Sequence, residues 1–509
     1  MYSFLLAIFF IIYTIFTHIR RRRSSHHKSS QKLPPGPSPY PIIGNLLEIG
    51  SDPLLSLTNL SKTYGPIMSV KLGTTTAIVI TSTEAAREVL NKNDLALSAR
   101  TYPDSVRALD HHITSVAWIP VSHQWRALRK AINTNIFSTQ KLNSTQILRH
   151  RKVQELMEFV EECSRNGDVL DLGQVAFTTV LNSLSNTFFS LDFAEFGSGK
   201  SLEYKELLEG IVDEAGVPNV VDAFPILSFL DLQGVRKRTI SYYKKFLGLL
   251  DGIMEERLRF NASNKTTSST TMNSSREYND VLDSFIELFQ DESSGLERID
   301  ILHLFMDLFI AGTDTSSSTL EWAMAELIHN PEKMAKAKVE LEQVLGKNAK
   351  IEEHEVSNFP YLQAIFKETL RLHPPAPFLL PHKANDDVEI CGFLVPQNAQ
   401  ILVNVWAMGR DPSIWDNPNV FTPERFLEND IDYRGSGRDF RFIPFGAGRR
   451  TCPGLPLASR TLTFMLASLL YHFDWKLPDG LKPKDLDMSQ NYGITLHKIQ
   501  PLRAIPLKV

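Results

Sequence analysis

Hydrophobic and polar positions alternate along this chain with three different rhythms. The first sixteen residues, MYSFLLAIFFIIYTIF, are apolar almost without a break, and four arginines follow at Arg20 to Arg23. Spanning a bilayer takes roughly 20 apolar residues. With the charge after the apolar run rather than before it, the pattern predicts an uncleaved membrane anchor over residues 1–19 with its basic side in the cytosol. KLPPGPSPYP (32–41) closes a basic and proline-rich linker over 20–43, which prolines stiffen by fixing φ. From residue 44 to residue 509 the pattern is that of one large body. Period-two or continuous apolar runs at IMSVKLG (67–73), TAIVIT (76–81), DVEICGFLVP (387–396) and AQILVNVW (399–406) predict short strands. Helical spacing dominates elsewhere, as in HRKVQELMEFVEECSR (150–165) and LPLASRTLTFMLASLLYHF (455–473). The stretch from Ile299 to Asn330 is apolar nearly all round at first, which predicts a central buried helix of roughly thirty residues, about 45 Å long. The fold class is therefore mainly α with small β-sheets.

Two segments stand apart. Residues 261–280 are rich in Ser, Thr and Asn, too polar to bury much surface, and predict a mobile surface loop. It holds N-x-S/T triplets at Asn261, Asn264 and Asn273, which stay unmodified if the body is cytosolic. GSGKS (197–201) ends like a phosphate-binding loop, but Ala194 stands where that loop needs glycine, so it reads as a flexible turn.

Net charge is −4, which gives no global signal for nucleic acid. The three cysteines, Cys163, Cys391 and Cys452, make no disulfide framework and contain no C-x-x-C pair, which suits a reducing compartment and argues against structural zinc. Cys452 has unusual surroundings. It lies in PFGAGRRTCPG (444–454), just before the apolar helix that starts near residue 455. Free amides at a helix N-terminus stabilise a thiolate. Gly446, Gly448 and Gly454 allow close backbone approach, and Arg449 and Arg450 add positive charge. Together these features describe a haem bound through sulfur.

The complete pattern F-x-x-G-x-R-x-C-x-G, here Phe445, Gly448, Arg450, Cys452 and Gly454, resembles the cytochrome P450 family. Further motifs carry the same likeness. AGTDT (311–315) lies mid-helix, where Thr315 can bond back to a carbonyl and open the helix locally, while Asp314 and Thr315 offer an acid and a hydroxyl for proton delivery. ETLR places Glu368 and Arg371 on one helix face and PERF supplies Arg425; the resemblance implies a buried charge network with a structural role. WRALR sets Trp125 and Arg129 on one face, the family's pair for a haem propionate.

The resemblance spans essentially the whole chain and implies a cytochrome P450 fold behind an N-terminal transmembrane anchor helix. It implies haem b, with Cys452 as the axial metal ligand and Arg450, Trp125, Arg129, Arg100, His382, Phe445, Gly454 and Ala311 as cofactor contacts. It further implies O2 as co-substrate, NADPH-cytochrome P450 reductase as electron donor, and a single-pass position on the endoplasmic reticulum with the catalytic domain in the cytosol. By the same mapping, Val106, Ile113, Val116, Phe309, Phe378, Leu379 and Ile494 line the substrate chamber, and their apolar character suits a small lipophilic substrate. Stretches such as TYPDSVRALDHH and PYLQAIFKETLRLHPPAPFLLPHKA are similar to the plant geraniol 8-hydroxylase type, which implies hydroxylation of a terpenoid such as a monoterpene alcohol. Diterpenes and aromatic amino-acid-derived metabolites are alternative substrates. A haem isomerase or dehydratase working without reductase is the rival chemistry, and Thr315 argues against it.

Overall fold

The computed structural model describes residues 32–267, 280–346, 349–429, 431 and 439–509. The expected anchor lies outside them, and among the described residues no helix is long and apolar enough to cross a membrane.

Twelve short strands occur among the described residues: β1 (Ile67–Leu72), β2 (Thr75–Ile80), β3 (Ala99–Arg100), β4 (Leu170–Asp171), β5 (His382–Lys383), β6 (Val388–Ile390), β7 (Phe393–Val395), β8 (Gln400–Val403), β9 (Phe473–Lys476), β10 (Gln490–Tyr492), β11 (Leu496–Lys498) and β12 (Arg503–Lys508). The largest sheet runs β1-β2-β8-β5-β3. Its β2–β8 pair is parallel and the others antiparallel. The run Ala77–Ile80 has no polar alternation because both of its faces are covered: Ile78 and Ile80 enter one apolar cluster, Ala77 and Val79 another. At the far edge, β3 and β5 pair so that Arg100 stands directly opposite His382.

The proline-rich stretch lies along this sheet. Ser69 donates through its backbone N–H to the Pro35 carbonyl (2.8 Å) and through its hydroxyl to that of Pro34 (2.7 Å). A Cβ on Gly36 would stand 1.8 Å from the Ser69 oxygen, so only glycine lets the chain lie this close.

The helices that matter for the site are α1 (His123–Asn135), α2 (Leu172–Phe189), α3 (Gly199–Gly216), α4 (Val235–Thr267), α5 (Arg298–His329), α6 (Pro360–Leu372) and α7 (Leu455–His472). The central helix is α5, one residue displaced from its expected start. Glu297 and Asp300 form a reciprocal capping box that fixes that start. Most of α5 is buried, and α2 packs on it closely: a Cβ on Gly312 would meet Leu184 Cδ1 at 2.9 Å. The glycine's helix-propensity cost of about 1 kcal/mol is thus offset by helix–helix contact.

Two expectations need correction. The polar segment does not begin as a loop: residues up to Thr267 continue α4, and Asn261 donates from Nδ2 to Asp283 Oδ1 at 3.3 Å. Residues 268–279 lie outside the described part. GSGKS is not a flexible turn either. Ser198 caps α3 by accepting from the Ser201 amide at 3.3 Å, and Gly197 supplies the left-handed turn just before it.

Candidate haem-thiolate site

The cysteine loop is built from two glycines and one hydrogen bond. Gly446 and Gly448 have φ of +68° and +69°, and Cys452 donates its N–H to the Phe445 carbonyl at 3.0 Å. Gly448 is needed for contact with the protein itself rather than with a flat ligand. A Cβ there would lie 2.0 Å from the Leu90 carbonyl oxygen. Gly454 caps α7, and a Cβ on it would make only ordinary contacts.

Cys452 has accessible surface, yet burial by the surrounding chain pushes its thiol pKa up. The Gly454 and Leu455 amides and the Arg129 guanidinium act in the opposite direction, as expected for a helix N-terminus, but burial outweighs them. Ala311 is likewise exposed, although it sits mid-way along the buried α5.

Four cationic or imidazole side chains gather beside this loop. Arg450 donates to the carbonyls of Ser98 (2.9 Å), Val116 (3.2 Å) and Ile119 (2.5 Å). Arg129 donates to the Thr451 carbonyl, and Arg100 to that of Leu380 at 2.5 Å. His382 Nδ1 bonds the Leu97 carbonyl at 2.7 Å. Trp125 lies under both guanidiniums, 5.0 Å from Arg450 and 6.0 Å from Arg129, and its indole N–H donates to the Val116 carbonyl at 3.1 Å. Among the described residues no carboxylate pairs with Arg100, Arg129 or Arg450, and Arg100 Nε has no hydrogen-bond partner. Burial, and then mutual repulsion, lowers their pKa values: Arg100 and His382 well below the usual range, Arg450 to about 10. Arg449 does not join this group; its Nε lies 3.0 Å from Asp94 Oδ2.

On α5, Thr315 donates its hydroxyl to the Ala311 carbonyl at 2.6 Å, the back-bond expected of it. Asp314 is buried, and His497 Nε2 of β11 stands 3.2 Å from its Oδ1. Sequence reasoning missed His497, because nothing local marks a residue that meets its partner only through tertiary packing.

Glu368, Arg371 and Arg425 form the expected buried network. Glu368 receives two hydrogen bonds from Arg371 (2.7 and 2.8 Å) and one from Arg425 (3.1 Å).

Of the expected chamber residues, Phe309 is instead fully buried among Phe188, Phe193 and Phe246. Phe378 packs on Tyr492 beneath the sheet, Val106 is buried, and Ile113 faces out. Val116, Leu379 and Ile494 are half-buried. His111 is a structural residue: it bonds His303 (2.7 Å) and lies 3.1 Å from Asp307.

The model of the cytochrome P450 family matches residues 34–502. The chain is 49% identical to a cytochrome P450 monooxygenase 76AD131 of Lophophora williamsii over 99% of both chains. It is also 49% identical to geraniol 8-hydroxylases of Catharanthus roseus (97% of this chain, 96% of the relative) and Swertia mussotii (94% of each). This chain belongs to the cytochrome P450 family.

As a cytochrome P450 it is a haem-thiolate monooxygenase, homologous to geraniol 8-hydroxylases, and its cofactor is haem b ligated by a cysteine thiolate. The residues present fit that group. A set of buried and half-buried basic side chains with no acid paired to them among the described residues, and with one orphaned guanidinium nitrogen, is what two haem carboxylates require. Membership in the family also implies a reductase, O2 and a lipophilic substrate.

Proposed function

We propose that this cytochrome P450 hydroxylates a small terpenoid, such as a monoterpene alcohol, with electrons from NADPH-cytochrome P450 reductase, at the endoplasmic reticulum membrane. The observation that carries the site assignment is the acid-free cluster of Arg100, Arg129, Arg450 and His382 beside Cys452. In this reading Cys452 Sγ is the iron ligand, with Phe445 and Gly454 shaping its loop. The three guanidinium side chains and His382, with Trp125, exchange backbone carbonyls for the haem's acid groups. When bound, the haem supplies O2 activation and insertion of one oxygen atom. Asp314 takes up a proton at its carboxylate, and Thr315 passes it on from Oγ1. Ala311, Val116, Leu379 and Ile494 present an apolar wall that orients substrate and limits water.

The terpenoid class is supported by the apolar character of those four residues and by relatives whose names specify geraniol hydroxylation. Membrane attachment, with residues 1–19 as anchor, 20–43 as linker and 44–509 as catalytic domain, is supported by exposed apolar residues on two adjoining segments. Ile226, Phe229 and Leu232 are exposed on one, and Tyr40, Ile42 and Leu47 on the other. The turn at Gly73 and Thr74 joins them, bonding Ile43 (3.2 Å) and Ala223 (2.9 Å).

The test is spectroscopic and then chemical. The reduced, carbon monoxide-treated protein should show the thiolate-specific Soret band, lost in Cys452→Ser. A panel of monoterpene alcohols, diterpenes and tyrosine-type phenols should shift the oxidised Soret band only for the terpenoids, with product forming only when reductase and NADPH are present. Product from a hydroperoxide without reductase would overturn the monooxygenase mechanism.

A further inference from the structure

Asp314 is 1% exposed, and neither of its oxygens has an aligned hydrogen-bond donor. Such a carboxylate needs a nearby cation to remain charged. The only charge in contact with it among the described residues is His497, 3.2 Å away yet off hydrogen-bond alignment. The His497 side chain is 28% exposed, so its ring reaches from the buried carboxylate toward the surface. Its position is set by packing. Ser318 and Trp322 of α5 both donate to the Leu496 carbonyl, at 2.7 and 3.4 Å, which clamps β11 against the central helix one residue before the imidazole.

The surroundings favour a proton at this place. α3 brings Glu209 and Asp213 close, and α5 contributes Glu321. Burial lowers the His497 pKa, but Asp314, Glu209 and Glu321 outweigh it and raise the group to about 9. Burial raises Glu209 to about 7, with Lys205 opposing and Asp314 reinforcing the rise. Burial also raises Asp213, with His497 opposing and Asp314 and Glu214 adding to it. A cationic imidazole, the Asp314 carboxyl group and an acid that titrates near neutrality therefore lie in one electrostatic neighbourhood.

We propose that His497 is the positioning residue of oxygen activation in this enzyme: it pairs with Asp314 and relays solvent protons to it. The step moves one proton and no electrons. Nε2–H of the imidazolium gives its proton to Asp314 Oδ1, which leaves a neutral ring bearing Nδ1–H, and Nε2 then regains a proton from water or a neighbouring acid. The inference rests on reading Asp314 and Thr315 as the proton-delivering pair.

The test uses the full-length, haem-loaded protein with reductase and a terpenoid that shifts its Soret band. Three variants, His497→Phe, His497→Arg and Asp314→Asn, are compared with the combination of the first and third. Coupling, the fraction of NADPH electrons recovered in product, should fall about tenfold in His497→Phe, with the carbon monoxide band intact. The combined variant should couple no worse than Asp314→Asn. In the native enzyme, coupling should decline as pH rises through about 9, where His497 loses its proton.

His497→Arg separates relay from mere pairing, because a guanidinium can pair with Asp314 but does not release its proton in this range. It should restore the thermal stability lost in His497→Phe yet leave coupling low. Recovery of coupling in His497→Arg, or additive losses in the combined variant, would overturn the relay. Should Asp314→Asn couple normally, the reading of Asp314 itself fails. Should Asp314→Asn uncouple while His497→Phe does not, only the role of His497 fails. Thermal unfolding gives a readout independent of turnover. A group whose folded pKa is raised contributes stability that is complete below its unfolded value and is lost as pH rises through the folded one. Native unfolding temperature should therefore drop between pH about 6.5 and about 9, and His497→Phe should remove that drop.

Discussion

Two clusters of arginine in this protein, one buried and one buried only in part, invite comparison. In one, Arg371 and Arg425 close on Glu368, and the remaining guanidinium hydrogens reach the carbonyls of Gly409, Pro418 and Asp416. In the other, Arg100, Arg129 and Arg450 have carbonyls and no acid. Both satisfy most donors, but only the first sets an acid against its charge. Carbonyl dipoles satisfy hydrogen bonds without cancelling net charge, so the second cluster carries a standing preference for an anion. The contrast separates a structural ion network from a binding site using nothing more than the identity of the acceptors.

The largest effect expected from breaking this contrast is at Glu368. Glu368→Ala leaves two buried guanidiniums unpaired and should destabilise the protein by about 3–5 kcal/mol, measurable by chemical unfolding. Arg450→Ala should behave in the opposite sense. It relieves repulsion on Arg100 and His382, so the haem-free protein should be as stable as the native one or more so. Haem binding should meanwhile weaken by about 1.5–3 kcal/mol, or ten- to a hundredfold, read by haem titration. A haem-free Arg450→Ala protein as damaged as Glu368→Ala would erase the distinction.

A smaller effect concerns pH. His382 is held below the ordinary imidazole value of 6.5 by burial and by Arg100 and Arg450. The unfolded chain therefore takes up a proton that the folded haem-free chain refuses, and stability should be lost as pH falls below about 6.5. His382→Gln should flatten this slope in thermal unfolding. The smallest effect is expected at Trp125. Its indole N–H bonds the Val116 carbonyl, so Trp125→Phe should cost about 1 kcal/mol of haem-free stability and more in haem affinity if that N–H turns to the cofactor.

How legible this was in the sequence depends on the range of the interaction. The strands at 67–72 and 75–80, the central helix and the Thr315 back-bond follow from local spacing, and all are present. Cys452 and its arginines stood out because the motif is contiguous. The polar segment after residue 260 misled because helical continuity from α4 overrode a weak local composition. Phe309 misled because helical phase alone does not say which neighbour a face meets; four phenylalanines from α2, α4 and the connection after α2 claim it. The carbonyls that hold the arginines carry no side-chain signature, and His497 meets Asp314 only across the sheet-to-helix packing.

The two-residue pairing of β3 with β5 has a consequence for biosynthesis. Arg100 and His382 come from opposite ends of the polypeptide, and Arg450 from still later. A ribosome that has released the first strand must deliver most of the remaining chain before the pair can form. Cofactor capture must therefore follow translation of the cysteine loop, and nascent chains halted earlier should leave the ribosome without porphyrin.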